Sequence, residues 1–255
     1  MSINFTKIFQ DSWNFVRNQR QITFTFVFAF FLSNLLISVL ITSLSSAEAI
    51  SQSKANEDLA QALGMTIVGP SAIFLSFVHH IIYFIISAWC LISIHNISQN
   101  NLFSLSTSFS SALQRFLGAF VINILLLTPL LIGLSEVFFS LVVQKSQPSI
   151  FSLLSMGLGI YLCIRLCLAS VHYLISTASI SQSFKITWLA GIKRVARLFL
   201  YCLIVYFLLP MVTRQFSLLA TNLILETLAA LITAFLTVFS LVFTYRFYTI
   251  FMQKA

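Results

Sequence analysis

Residues 22–44 read ITFTFVFAFFLSNLLISVLITSL, 23 positions without a charge. About 20 mostly apolar residues in helical form cross the ~30 Å hydrocarbon core of a bilayer. A helix at the surface of a soluble domain keeps a polar face, and this run has none to offer. It is therefore a membrane span. Working outward, five more runs qualify: 71–94, interrupted only by His79 and His80; 116–143, with Pro129 and Glu136; 150–175, with Arg165; 195–212; and 228–248. The whole chain agrees, being 59% hydrophobic and 8% charged with a mean hydropathy of +0.98, against roughly 25% charged residues in a soluble domain. The expected fold class is all-α: a polytopic bundle of about six transmembrane helices plus cytoplasmic interfacial amphipathic helices, in a single membrane domain over 1–255.

The net charge of +8 invites a nucleic-acid reading, but its distribution argues for membrane topology instead. With the N-terminus inside, the inner segments hold Lys7, Arg17, Arg20, Arg115, Lys185, Lys193, Arg194, Arg197, Arg246 and Lys254, and the outer loops hold only Lys54, Lys145 and Arg214. Basic residues collect on the cytoplasmic side of membrane proteins, so both termini are expected in the cytoplasm and no nucleic-acid partner is expected. The four cysteines, Cys90, Cys163, Cys167 and Cys202, all lie in apolar runs, which gives no disulfide framework. The first run is longer than the about 7–15 residues of a signal-peptide core, so it is expected to remain as a span.

Three inner segments look alike. Phe5, Ile8, Phe9, Trp13 and Val16 recur at helical spacing before the first span, and Leu102, Leu105, Phe109, Leu113 and Phe116 do so before the third. Ile180, Phe184, Trp188 and Ile192 repeat it before the fifth. Each predicts an amphipathic helix at the interface, over 1–20, 102–114 and 178–191. Phe9-x-x-Ser12-Trp13 against Phe184-x-x-Thr187-Trp188 suggests a threefold repeat of surface helix, span in, span out. The external loop over 45–70 is polar, with a short helix expected within 47–63. Pro129 lacks a backbone donor and should kink the third span.

Among polar residues, Arg165 stands out, because a charge within a span is expensive. Two readings compete: an arginine serving helix-end carbonyls inside the bundle, or one reaching a lipid phosphate. His172, seven residues on, falls on the same face if the helix is continuous. A polar or lipid-phosphate cleft of Arg165, His172, Lys185, Lys193 and Arg194 follows from the second reading. Adjacent His79 and His80 diverge by about 100° on a helix and read as a satisfied pair. Cys163 and Cys167 share a face but lack a third ligand. No phosphate loop, zinc-protease motif, nucleophile elbow or dinucleotide fingerprint occurs, so no catalytic residue, metal or cofactor is expected.

Asp11-x-x-Asn14-Phe15-x-Arg17-Asn18-Gln19, the six-span layout and Tyr245-Arg246-Phe247-Tyr248 resemble the YciC family of Gram-negative inner-membrane proteins over nearly the full length. Gly159-Ile160-Tyr161-Leu162-x-x-Arg165 with Ser183-Phe184-Lys185-x-Thr187-Trp188 is similar to a stretch in membrane domains attached to glycerophosphodiester phosphodiesterases, with Leu158 where those carry proline. The resemblance implies an inner-membrane location and a helical fold, but no reaction. The expectation is a non-enzymatic multi-pass protein with a role in envelope or lipid organisation and membrane lipids as partners. A small transporter or channel subunit is the rival, built on helices broken at Pro129 and the Gly157/Gly159 pair.

Overall fold

A computed structural model describes residues 3–48, 70–99, 104–219 and 222–253. The loop over 49–69, Leu102 and Lys254 lie outside them, and with them most of the expected external helix. All regular structure among the described residues is helical. In chain order the helices are α1 (Phe5–Asn18), α2 (Arg20–Glu48), α3 (Pro70–Ser98), α4 (Leu105–Phe138), α5 (Ile150–Arg165), α6 (Ala169–Ile175), α7 (Ile180–Ala190), α8 (Val195–Cys202), α9 (Leu209–Leu218) and α10 (Leu223–Gln253). Wider π-helical turns follow α4 at Phe139–Val143 and join α8 to α9 at Leu203–Leu208. Among the described residues, six stretches are long and apolar enough to cross a membrane: Arg20–Leu40, Phe74–Ser98, Leu105–Leu141, Ile150–Ile175, Val195–Leu218 and Ile224–Gln253. This is a multi-pass, all-helical membrane protein.

Local chemistry sets several boundaries. The Asn4 side chain accepts from the Lys7 amide to start α1, and Ser179 with Gln182 forms a reciprocal capping box at α7. Pro210 sits in the first turn of α9, where it offers no amide to the preceding turn and its ring crowds that turn's carbonyl. The π-helical turn just before it widens the helix there, so the path continues without a break.

The second expected surface helix is not a separate element. Residues 105–138 form one 34-residue helix, about 50 Å long by helical rise, because nothing from 105 to 128 breaks it. It also runs on through Pro129. Its partner α5 is continuous through Gly157 and Gly159, so these residues do not break a helix. Gly133 and Gly159 instead let α4 and α5 meet backbone to backbone: a Cβ on Gly133 would lie 2.6 Å from the Met156 nitrogen, and one on Gly159 2.5 Å from the Leu130 nitrogen. Ser155 Oγ donates to the Pro129 carbonyl at 2.8 Å and Cys163 Sγ to that of Leu126 at 3.4 Å across the seam. Small residues at such seams are how membrane helices gain contact, since lipid supplies no hydrophobic drive for their association.

The three amphipathic segments are used differently from the expectation. In α1, Ile8, Ser12, Phe15 and Val16 are buried by protein. The helix runs antiparallel along α10, with Phe5 on Phe247, Phe9 on Phe239, and Trp13 on Phe235 and Phe239. In α7 the small residues Ser183, Thr187 and Ala190 face inward, while Ile186, Trp188 and Leu189, and Ile192 just after the helix, are exposed. One device does recur. Ser12, Ser108 and Thr187 are all buried, each followed by a large exposed aromatic: Trp13, Phe109 and Trp188.

Burial is lopsided along the bundle. Val238, Phe239, Val242, Phe243, Tyr245, Phe247, Tyr248 and Phe251 of α10 are buried, whereas Ile224, Leu225, Leu228 and Leu231 nearer its start are exposed. Tyr201 of α8 stacks on Phe247 at 4.5 Å and 9°, with Phe251 beyond. The packed end of the bundle also carries Arg246 of α10 itself, Arg194 on the Phe251 carbonyl and Arg115 on that of Ser176. Substituting Gly159 by Ala should destabilise the protein by about 1–3 kcal/mol, the usual cost of overpacking, read as a lower Tm in detergent. Gly157, which has open space around it, should accept Ala without loss.

Candidate functional site

At the packed end, α3 and α6 both converge on α10. His95 Nδ1 pairs with the Tyr245 hydroxyl at 3.2 Å and His172 Nδ1 with that of Tyr248 at 2.8 Å. A hollow of about 320 Å³ lies beside them, lined by His95, Gln99, Tyr245, Tyr248, Thr249 and Gln253 among others. His95 was not singled out from sequence, but a signal for it exists. Cys90-Leu91-Ile92-Ser93-Ile94-His95 matches Cys167-Leu168-Ala169-Ser170-Val171-His172, with both cysteines and both leucines buried. Two returning helices thus share a short pattern that ends in histidine, while α10 supplies the tyrosines.

Arg165 is buried, and its guanidinium serves the end of α7. Nη1 donates to the Gly191 carbonyl, Nη2 donates to that of Trp188 at 3.0 Å, and the Trp188 ring lies 4.9 Å away. Two other arginines repeat the arrangement. Arg115 donates to the Ser176 and Ala178 carbonyls just after α6 and lies over Tyr173. Arg194 donates to the Phe251 carbonyl of α10 and lies over that ring. A helix C-terminus presents unmet carbonyls and the negative end of its dipole, so a cation there satisfies both.

The expected cleft of Arg165 and His172 is not formed. Residues 166–168 make a turn between α5 and α6, so the seven-residue spacing no longer places both on one face. Arg165 turns to α7 and His172 to α10. Lys185 and Lys193 are exposed, and Lys193 holds a left-handed backbone with φ 61° in the turn below Gly191.

A second feature lies between the α1–α2 corner, α9 and α10. An apolar groove of about 700 Å³ is lined by Trp13, Val16, Phe24, Val27, Val212, Phe216, Leu231 and Phe235 among others, with Arg17 and Arg20 as its charged residues. Its size falls within the ~300–1,000 Å³ of small-molecule sites. Neither arginine is recognisable as a site from sequence, because both read as ordinary inner-face charges flanking a span.

An uncharacterised protein of Haemophilus influenzae is 39% identical to this chain over 253 residues, 99% of this chain and 100% of the relative. The chain belongs to that protein's family. No family model matches it, and no solved structure does. Similarity over the full length means that both features just described fall within the shared region.

His79, His80 and Glu136 each have a local partner. His79 Nε2 pairs with Asn34 at 3.2 Å and His80 Nδ1 with the Ser76 carbonyl at 2.7 Å; Glu136 accepts from Ser149. All four cysteines are free thiols. Among the described residues no three His, Cys, Asp or Glu side chains gather as a metal site requires. Replacing Arg165 by Ala should cost about 2–4 kcal/mol, because two buried carbonyls lose a charged donor, read as a Tm drop in detergent with unchanged phospholipid per folded molecule. Arg165→Lys should recover only part of it, lacking the two-pronged fork. An unchanged Tm with depleted lipid would return Arg165 to the role of headgroup ligand.

Proposed function

We propose that this protein is a non-enzymatic inner-membrane protein that organises envelope lipid by holding a phospholipid in the groove between the α1–α2 corner, α9 and α10. The carrying observation is the groove itself: a mostly apolar lining that includes two guanidinium groups has the mixed polarity of a phospholipid. Burying acyl methylenes contributes about 0.8 kcal/mol each, and an arginine matches a phosphate oxygen pair.

Orientation supports the same reading. Among the described residues, Lys7, Arg17, Arg20, Arg115, Lys185, Lys193, Arg194, Arg197 and Arg246 belong to the segments on one side of the spans, against Lys145 and Arg214 on the other. The basic bias favours a cytoplasmic position for the segments that carry it. A Gram-negative inner membrane is consistent with the Haemophilus relative and with the YciC-like motifs. The transporter reading loses its footing at Pro129, Gly157 and Gly159, where both helices are continuous.

The protein purified in mild detergent should carry phospholipid detectable by phosphorus assay and native mass spectrometry. Leu231→Trp with Val212→Trp fills the groove from two exposed positions and should remove most of that lipid while leaving Tm within a few degrees. Retained lipid in this variant would overturn the assignment of the groove. A C-terminal green fluorescent protein fusion should fluoresce, and an active alkaline phosphatase fusion at the same place would reverse the orientation.

A further inference from the structure

We infer that the groove selects an anionic phospholipid over a zwitterionic one, with the phosphate on Arg17 and Arg20 and an acyl chain along Phe24, Val212, Phe216 and Leu231. This deepens the lipid reading above and rests on it. The lining holds two guanidinium groups and no carboxylate, so the groove presents a double positive charge to its occupant. A zwitterionic headgroup would bring its own ammonium beside them, whereas an anionic headgroup brings only charge of the attracting sign.

These two arginines also differ from the others at this end of the bundle. The side chains of Arg115, Arg165 and Arg194 are spent on helix-end carbonyls, and Arg246 lies over Phe15. Arg17 and Arg20 are exposed. Arg20 Nε donates to the Arg17 carbonyl at 3.1 Å, which ties the stem of Arg20 to the α1–α2 corner. Two planar forks held at one corner suit the oxygens of a phosphate. The packing of α1 along α10 builds one wall of the groove: Trp13 meets Phe235, and one turn further along the two antiparallel helices Arg17 and Leu231 line it together.

The test uses the full-length protein, delipidated in detergent and equilibrated with vesicles of equal phosphatidylglycerol and phosphatidylethanolamine, bound lipid being read by native mass spectrometry. Phosphatidylglycerol should be preferred by about tenfold, equivalent to ~1.4 kcal/mol. Arg17→Gln with Arg20→Gln should keep bound lipid but lose the preference, while Arg17→Lys with Arg20→Lys should keep much of it, and Tm of each variant checks folding. Equal binding of both lipids by the wild type overturns the selectivity and leaves the lipid reading standing. No bound lipid at all overturns both. A preference that survives Arg17→Gln with Arg20→Gln overturns these two residues as its source.

Discussion

The packed end of α10 is the constraint on which the rest of this bundle depends. Two returning helices, α3 and α6, close on it through His95–Tyr245 and His172–Tyr248, three residues apart on one helix. From the other side, Tyr201 stacks on Phe247 and pairs with Thr244 at 2.9 Å, and α1 lies along the outer surface. Buried polar pairs hold their geometry because an unpaired hydroxyl or ring nitrogen in an apolar interior is costly. Around this fixed end the helices are free to diverge toward the other side, where they expose leucine and phenylalanine.

The arginines follow from the same surroundings. In an apolar medium a helix end must find partners for its last carbonyls, and three ends here find an arginine packed over an aromatic ring. The feature that looks most like an active residue in the sequence, Arg165, is thereby a structural cap. Its cost as a lone charge in a span is offset by two carbonyls and the Trp188 ring. The two arginines that line the apolar groove, Arg17 and Arg20, are exposed, and of their nitrogens only Arg20 Nε is given to a helix-end carbonyl.

Much of the fold is legible in the sequence. The six runs around residues 22–44, 71–94, 116–143, 150–175, 195–212 and 228–248 are visible because crossing a bilayer demands an uncharged stretch of set length. The alternatives for Arg165 were both readable, but not the choice between them. That choice depended on the turn at residues 166–168, which carries no proline or glycine and so leaves no mark in the sequence. The merging of 105–116 with the third span was hidden for the converse reason: an amphipathic stretch and an apolar one join into one helix whenever no breaker separates them.

By itself, then, the sequence determined the number of spans, the uneven distribution of charge and the repeating hydroxyl–aromatic pattern, all of which are set by local composition against a uniform solvent. Only the tertiary structure decided which stripes face protein and which face outward, that Gly133 and Gly159 form a seam, that His95 and His172 share one helix as partner, and that Arg17 and Arg20 line a groove. Inside a bilayer the apolar surfaces of protein and lipid are chemically alike, so hydrophobic pattern does not distinguish a neighbour helix from a neighbour lipid. Close packing and the pairing of buried polar atoms do, and both are properties of residues brought together from distant parts of the chain.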